Sequence, residues 1–273
     1  MADAKTGGNI RLSRRLQMLA DMVTPGNVAA DVGCDHGFLS IRLIEAGISP
    51  RAIASDVRPG PLAAARTHIA ERGLSAYIET RLSDGLAAYR PGEAQTLICA
   101  GMGGRLMQRI LTQGADVAES FTELILQPQS ELWQFRVFLR ERGFVTLAEE
   151  ILREDGKYYF FFRARPGDGK CGESAPDGGF AEGGKPAPDG SSAEEEARLG
   201  DKYGAGLLSR RHPVLREYLE RKLAECEAVN RTLKAHRETA AAGSRVERSL
   251  AENEAELADL RAALALYREQ GDI

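Results

Sequence analysis

Cysteine is scarce in this chain of 273 residues. There are four, Cys34, Cys99, Cys171 and Cys226, and no C-x-x-C pair. That excludes a disulfide framework and a zinc cluster of the usual spacing. Histidine is equally sparse, and no second His or Cys stands at ligand spacing from His36, so no metal is expected. No apolar run approaches the roughly 18 residues a membrane helix needs, so no membrane partner is expected. The N-terminal segment MADAKTGGNIRLSRR is polar and basic and lacks an apolar h-region. A secretory signal is therefore not expected, and the cytoplasm is the predicted location. Also missing is G-x-G-x-x-G, the fingerprint of a dinucleotide-binding turn, which argues against a nicotinamide-linked enzyme.

What is present suffices for one large or two modest domains, with 43% hydrophobic residues to fill a core. The net charge of −4 is uneven. Residues 1–165 carry +1, residues 166–200 carry −5 and residues 201–273 are neutral. The acidic balance thus lies in the middle segment, and a polyanionic partner is open to the rest.

The chain is organised around residues 28–37, VAADVGCDHG. Small and apolar residues run into Asp31, a turn follows with Gly33 and Gly37, and an amphipathic stretch begins at Phe38. Strand, glycine turn and helix in that order place a ligand at the carboxyl end of the strand. The spacing D-x-G-x-D-x-G resembles the first motif of class I S-adenosylmethionine (SAM) methyltransferases, with Asp35 in place of the middle glycine. Asp tolerates left-handed backbone angles, so the turn survives the exchange.

Before this stretch, residues 11–23 have helical spacing and end at Pro25-Gly26. After it, strands are predicted at 52–55, 77–82, 96–100 and 124–126. Helices are predicted from Pro59 to about Arg72, from the glycines after Ala100 to Leu111, and from Glu131 to Arg142. Residues 144–153 and 157–165 then read as two extended runs around Asp155-Gly156, a hairpin signal. An alternating α/β sheet closed by an antiparallel hairpin is a Rossmann-like class I methyltransferase arrangement, spanning residues 1–165. Residues 166–200 are rich in Gly, Pro, Ser and acid, and predict a disordered linker. Residues 201–273 predict a helical coiled-coil hairpin. Val246, Leu250, Asn253, Leu257, Leu260, Leu264 and Tyr267 follow a heptad seam. Leu215, Leu219, Leu223, Cys226, Val229 and Leu233 mark the facing side. Residues 207–240 carry +3 and residues 245–273 carry −3, which favours antiparallel pairing.

A SAM site needs a carboxylate for the ribose hydroxyls, polar groups for the adenine and a backbone cradle for the methionine end. Asp56, with Val57 beside it, follows the second strand, where the ribose acid belongs. Ser83, Asp84 and Gly85 follow the third, on the adenine side. Ala100, Gly101, Met102, Gly103 and Gly104 follow the fourth, where three glycines permit close approach to donor and acceptor. A helix cap or an ordinary tight turn explains each of these singly; their order along four successive strands is the stronger signal.

RLSRRLQMLADMV, DVGCDHGFLSIRL, ASDVRPGPL, RLSDGL, CAGMGG, LILQPQ and EDGKYY, in that order, resemble the bacterial tRNA (adenine(22)-N(1))-methyltransferase family over about residues 10–165. The C-terminal helical pair resembles that family's coiled-coil domain. The resemblance implies SAM as cofactor, S-adenosylhomocysteine as product, and N1 of an adenine in the D-loop region of tRNA as acceptor. AGMGG also stands where enzymes that methylate the exocyclic amine of adenine carry N/D-P-P-Y/F. A ring nitrogen with its own lone pair needs little base assistance, but its methylation leaves a cationic base. Asp35 is then the candidate to stabilise that charge or accept an N6 proton, with His36 orienting it. Phosphate contacts would fall to Arg11, Arg14, Arg15, Arg58, Arg105, Arg109, Arg210 and Arg211, and base stacking to Tyr158 or Phe38. The oligomeric state stays open at this point, a monomer being favoured. A class I methyltransferase acting on another RNA position or a small molecule, and a non-catalytic RNA-binding protein that keeps the fold, stay open at this point.

Overall fold

A computed structural model describes residues 12–167, 190–237 and 245–268 of the chain. Two compact units divide between Glu182 and Gly183.

The first unit alternates helix and strand: α1 (Arg14–Met22), β1 (Ala29–Val32), α2 (Phe38–Glu45), β2 (Ala52–Asp56), α3 (Pro59–Glu71), β3 (Ile78–Leu82), β4 (Thr96–Met102), α4 (Gly104–Gln113), α5 (Ala115–Ala118), β5 (Glu123–Pro128), α6 (Leu132–Glu141), β6 (Phe144–Glu154) and β7 (Lys157–Pro166). The seven strands form one sheet in the order β3-β2-β1-β4-β5-β7-β6. Strands β3, β2, β1, β4 and β5 are parallel, and β7 joins β5 and β6 antiparallel. Every residue of β1, β2 and β5 is buried, because a parallel sheet is covered by helices on both faces. One face packs Leu19, Ile41, Leu43, Leu62 and Ile69 of the helices against Ile98, Ile125 and Phe161 of the sheet. The hairpin turn uses Asp155 at φ 49° and Gly156 at φ 75°. Two positive φ values in succession are what a two-residue hairpin turn demands, and Asp-Gly supplies them cheaply.

Helix α1 is capped by Ser13, whose Oγ accepts Leu16 N–H at 3.2 Å. Glu154, at the end of β6, accepts the N–H groups of Arg14 at 2.6 Å and Arg15 at 3.3 Å. These bonds satisfy donors that a helix start leaves open and tie α1 to the hairpin. Arg11 lies outside the described residues.

The second unit holds α7 (Gly190–Tyr203), α8 (Ala205–Ser209), α9 (Pro213–Arg237) and α10 (Arg245–Ala265). The expectation of a disordered linker over 166–200 does not hold for 190–200, which belong to α7; residues 168–189 lie outside the described residues. Leu199 and Tyr203 are buried. Arg198 pairs with Asp259 of α10, Lys202 meets Asp259 at 2.7 Å, and the Tyr203 hydroxyl donates to Glu256 at 3.1 Å. Composition averaged over 35 residues hid a helix whose partners lie in α10.

Helices α9 and α10 pair antiparallel, with Lys234–Glu254 at 3.3 Å, Arg237–Glu247 at 3.9 Å and Arg261–Glu227 at 3.1 Å. Leu250, Leu257, Leu260 and Leu264 are buried along the expected seam. On α9 one position differs. Val229 is exposed, and Asn230 is buried instead, its amide donating to Asn253 at 2.9 Å. The step from Cys226 to the next inward position is four residues, not three. No helix among the described residues is long and apolar enough to cross a membrane.

Candidate active site

The carboxyl ends of β1, β2, β3 and β4 open on one edge of the sheet. Asp31 is the penultimate residue of β1 and is 5% exposed. Ser40 Oγ donates to its Oδ2 at 2.7 Å. Burial pushes its pKa up to about 6; the Ser40 hydrogen bonds oppose that shift, and Asp56 adds to it. The first turn is tied to β2: Gly33 N–H and Cys34 N–H both donate to Ser55 O at 2.8 Å. The Tyr89 hydroxyl supports Ser55 from below, donating to its Oγ at 2.8 Å. Gly33 has φ +78°, and a Cβ there would lie 2.2 Å from Met102 Cε, so the β1 and β4 turns touch. Burial pushes the thiols of Cys34 and Cys99 upward, that of Cys99 to about 12, so neither offers a thiolate.

Asp56 ends β2, nearly buried, with Oδ1 accepting Arg58 N–H at 2.8 Å. Val57 and Leu82, at the ends of adjacent strands, are each 57% exposed. Asp35 adopts φ 51°, the left-handed angle expected of the residue replacing a glycine. Its carboxylate is exposed and lies 3.8 Å from His36 Nε2. Gly37 packs against Ala65 of α3. Phe38 stacks on His68 at 4.9 Å and on His36 at 5.7 Å, so its ring is engaged within the first turn's own surroundings.

The third turn divides. The Ser83 hydroxyl donates to Gly85 O at 2.8 Å and accepts Ala88 N–H at 3.1 Å. It shapes the turn and is spent there. Asp84 is exposed, 3.8 Å from Arg109 of α4, and Gly85 packs against Ile110. The fourth turn begins with a bulge between Ala100 and Met102. Gly103 caps α4. A Cβ at Gly104 would come within 2.5 Å of Ser130 O, a backbone atom, so only glycine fits. Gln127 of β5 is fully buried beneath this turn, its Oε1 accepting Gly101 N–H at 3.1 Å and Arg15 Nη1 at 3.1 Å. The Arg15 guanidinium also lies over the Tyr159 ring at 5.7 Å. Among the described residues no group of three or more His, Cys, Asp or Glu is placed to hold a metal ion.

Residues 12–162 match a methyltransferase-domain family. Over 159 residues the chain is 36% identical to the tRNA (adenine(22)-N(1))-methyltransferase of Bacillus subtilis, covering 58% of this chain and 67% of that protein. This chain belongs to the tRNA (adenine(22)-N(1))-methyltransferase family. The solved structure of the B. subtilis m1A22 tRNA methyltransferase is 27% identical, with a TM-score of 0.75, covering 93% of this chain and 99% of that one. A Streptococcus pneumoniae relative solved with S-adenosyl-L-methionine is likewise 27% identical, with a TM-score of 0.73, covering 93% of this chain and all of that one.

Within this family member, sequence reasoning missed Ser40, Leu82, Gln127 and Tyr159. Ser40 lies in the first turn of α2, within the DVGCDHGFLSIRL stretch, but nothing local showed that it reaches Asp31. Gln127 stood in the LILQPQ stretch, but nothing local showed that it reaches the β4 turn. Tyr159 lies on β7, which comes next to β5 only through the order of the sheet.

Proposed function

We infer that the protein transfers a methyl group from SAM to N1 of adenine 22 of tRNA in the cytoplasm. The observation that carries this is the pair of nearly buried carboxylates, Asp31 and Asp56, on adjacent parallel strand ends, with the glycine turns of β1 and β4 in contact beside them. The site fits SAM. Asp56 would receive the ribose hydroxyls, the exposed Val57 and Leu82 would cover the adenine ring, and the touching glycine turns of β1 and β4 would cradle the methionine end through their backbone. Asp31 would compensate the positive charge of the bound cofactor.

When bound, SAM would supply an electrophilic methyl group: the N1 lone pair would form the new N–C bond as the S–CH3 bond breaks, its electron pair staying on the sulfur of the leaving S-adenosylhomocysteine. The base then carries a positive charge. Asp35, exposed at the first turn, stabilises that charge or accepts an N6 proton, and His36 orients it. The thiols take no part, being held protonated by burial.

The test is a methyl-transfer assay with SAM on two tRNA transcripts, one carrying adenine at nucleotide 22 and one carrying guanine there, followed by mass spectrometry of the digested product. The expected outcome is 1-methyladenosine from the first transcript only. Methyl transfer to N6, or equal transfer to both transcripts, would replace this reading with another RNA methyltransferase activity.

A further inference from the structure

We propose that Arg15 positions the acceptor nucleotide by gripping a backbone phosphate beside the target adenosine, with Gln127 and Tyr159 holding the guanidinium in place. This rests on the tRNA-methylation reading and names, among the cations, the one that works inside the site.

The first support is the surroundings of the candidate arginines of the first unit. Arg58 faces Asp56 at 3.6 Å, Arg105 faces Glu131 at 3.5 Å and Arg109 faces Asp84 at 3.8 Å. Arg14 donates to the backbone carbonyl of Arg153 at 3.3 Å. Arg15 instead meets a neutral amide and a ring, and no carboxylate among the described residues pairs with its guanidinium. Glu154 holds only the backbone N–H of Arg15. The guanidinium therefore keeps donors for an oxyanion.

The second support is preorganisation. Gln127 is fully buried, its Nε2 donating to Pro128 O at 3.2 Å while its Oε1 accepts from Gly101 and Arg15. Its amide cannot turn without losing these bonds, so it fixes Nη1 next to the β4 turn. A Cβ at Gly101 would lie 3.5 Å from that Nη1.

The third support is the side of the site. Asp31, Asp56 and Leu82 stand on β1, β2 and β3. Gln127 and Tyr159 stand on β5 and β7, across β4 from them. Arg15 thus serves the acceptor half. The chemistry selects the group it holds. Methylated N1 leaves a cationic ring, and a guanidinium against that ring would oppose the reaction. A phosphate of the same nucleotide or its neighbour accepts the guanidinium without that cost.

The experiment uses the full chain with Arg15→Gln and Arg15→Lys. It measures SAM affinity by calorimetry, steady-state kinetics on the adenine-22 transcript, and the salt dependence of tRNA binding. Arg15→Gln should raise the tRNA KM about ten- to a hundredfold, the loss of a charge-assisted hydrogen bond or two. SAM affinity should be unchanged, and the log K against log salt slope should become shallower by about one. Arg15→Lys should restore the slope but only part of the KM, because a point charge lacks the fork. If SAM affinity falls in step with the tRNA KM, the cation serves the cofactor's carboxylate and the proposal is overturned. An active wild type whose Arg15→Gln variant keeps its tRNA kinetics overturns the phosphate grip alone. A wild type that methylates no tRNA overturns the function and the grip together.

Discussion

Asp31 shows how a single side chain is tuned by its place in the sheet. Burial lifts its pKa from 3.8 to about 6, so in the ligand-free protein it ionises at a cost. The folded value lies above the unfolded one. Stability is therefore fully present below the unfolded value and declines as pH rises toward 6, by about 3 kcal/mol in total. Asp31→Asn should flatten that decline in unfolding experiments across this range. The same carboxylate should make SAM binding pH-dependent, because a cationic ligand favours its ionised form. Wild-type affinity measured by calorimetry should rise from about pH 5 to about pH 8, with its midpoint near the carboxyl pKa. Asp31→Asn should bind weakly at every pH. A variant that retained the wild-type pH profile would move the titration to another group.

At the scale of elements, the α9–α10 pair is specified by polar as well as apolar residues. The Asn230 amide donates to Asn253 Oδ1, and Asn253 Nδ2 donates to Cys226 O at 3.3 Å. An amide pair inside a helical seam sets register at a cost in stability, since only one alignment satisfies both side chains. Asn230→Ala should leave the Asn253 oxygen without its donor and destabilise the helical unit by about 1–3 kcal/mol in urea unfolding. Replacing both residues by Leu should cost less than the single change, because nothing polar is stranded. A single variant as stable as wild type would show that the pair contributes nothing to the seam.

For the whole molecule, we propose that the two units divide the work, SAM binding falling to the first and tRNA binding to the second. The four ligand-facing turns and their supports, Ser40, Gln127 and Tyr159, all lie before Gly167. A chain ending at Gly167 should therefore bind SAM as the full chain does, measured by calorimetry. It should lose most tRNA methylation, because phosphate contacts supply most of the affinity for a polyanion and α9 is net positive. Full-length binding to tRNA should weaken steeply with added salt. Unchanged kcat/KM on tRNA in the shortened chain would assign the helical pair to stability.

Local pattern alone determined the strand–helix alternation, the glycine turns, the Asp155-Gly156 hairpin and the heptad seam of α10. Each of these depends on residues within a few positions of one another, where periodicity and backbone preference act. The Asp35 turn belongs with them: its left-handed angle follows from the motif itself. What only the tertiary structure decided are meetings between distant residues. Arg15 reaches Gln127 across 112 residues, and Glu154 caps α1 across 140. The order β4-β5-β7 brings Tyr159 beneath the Arg15 guanidinium, and that order is a property of the whole sheet. Helix α7 escaped notice for the same reason. Its stabilising contacts are Asp259 and Glu256, and a segment poor in apolar residues becomes ordered only when such distant partners offset the entropy of fixing it.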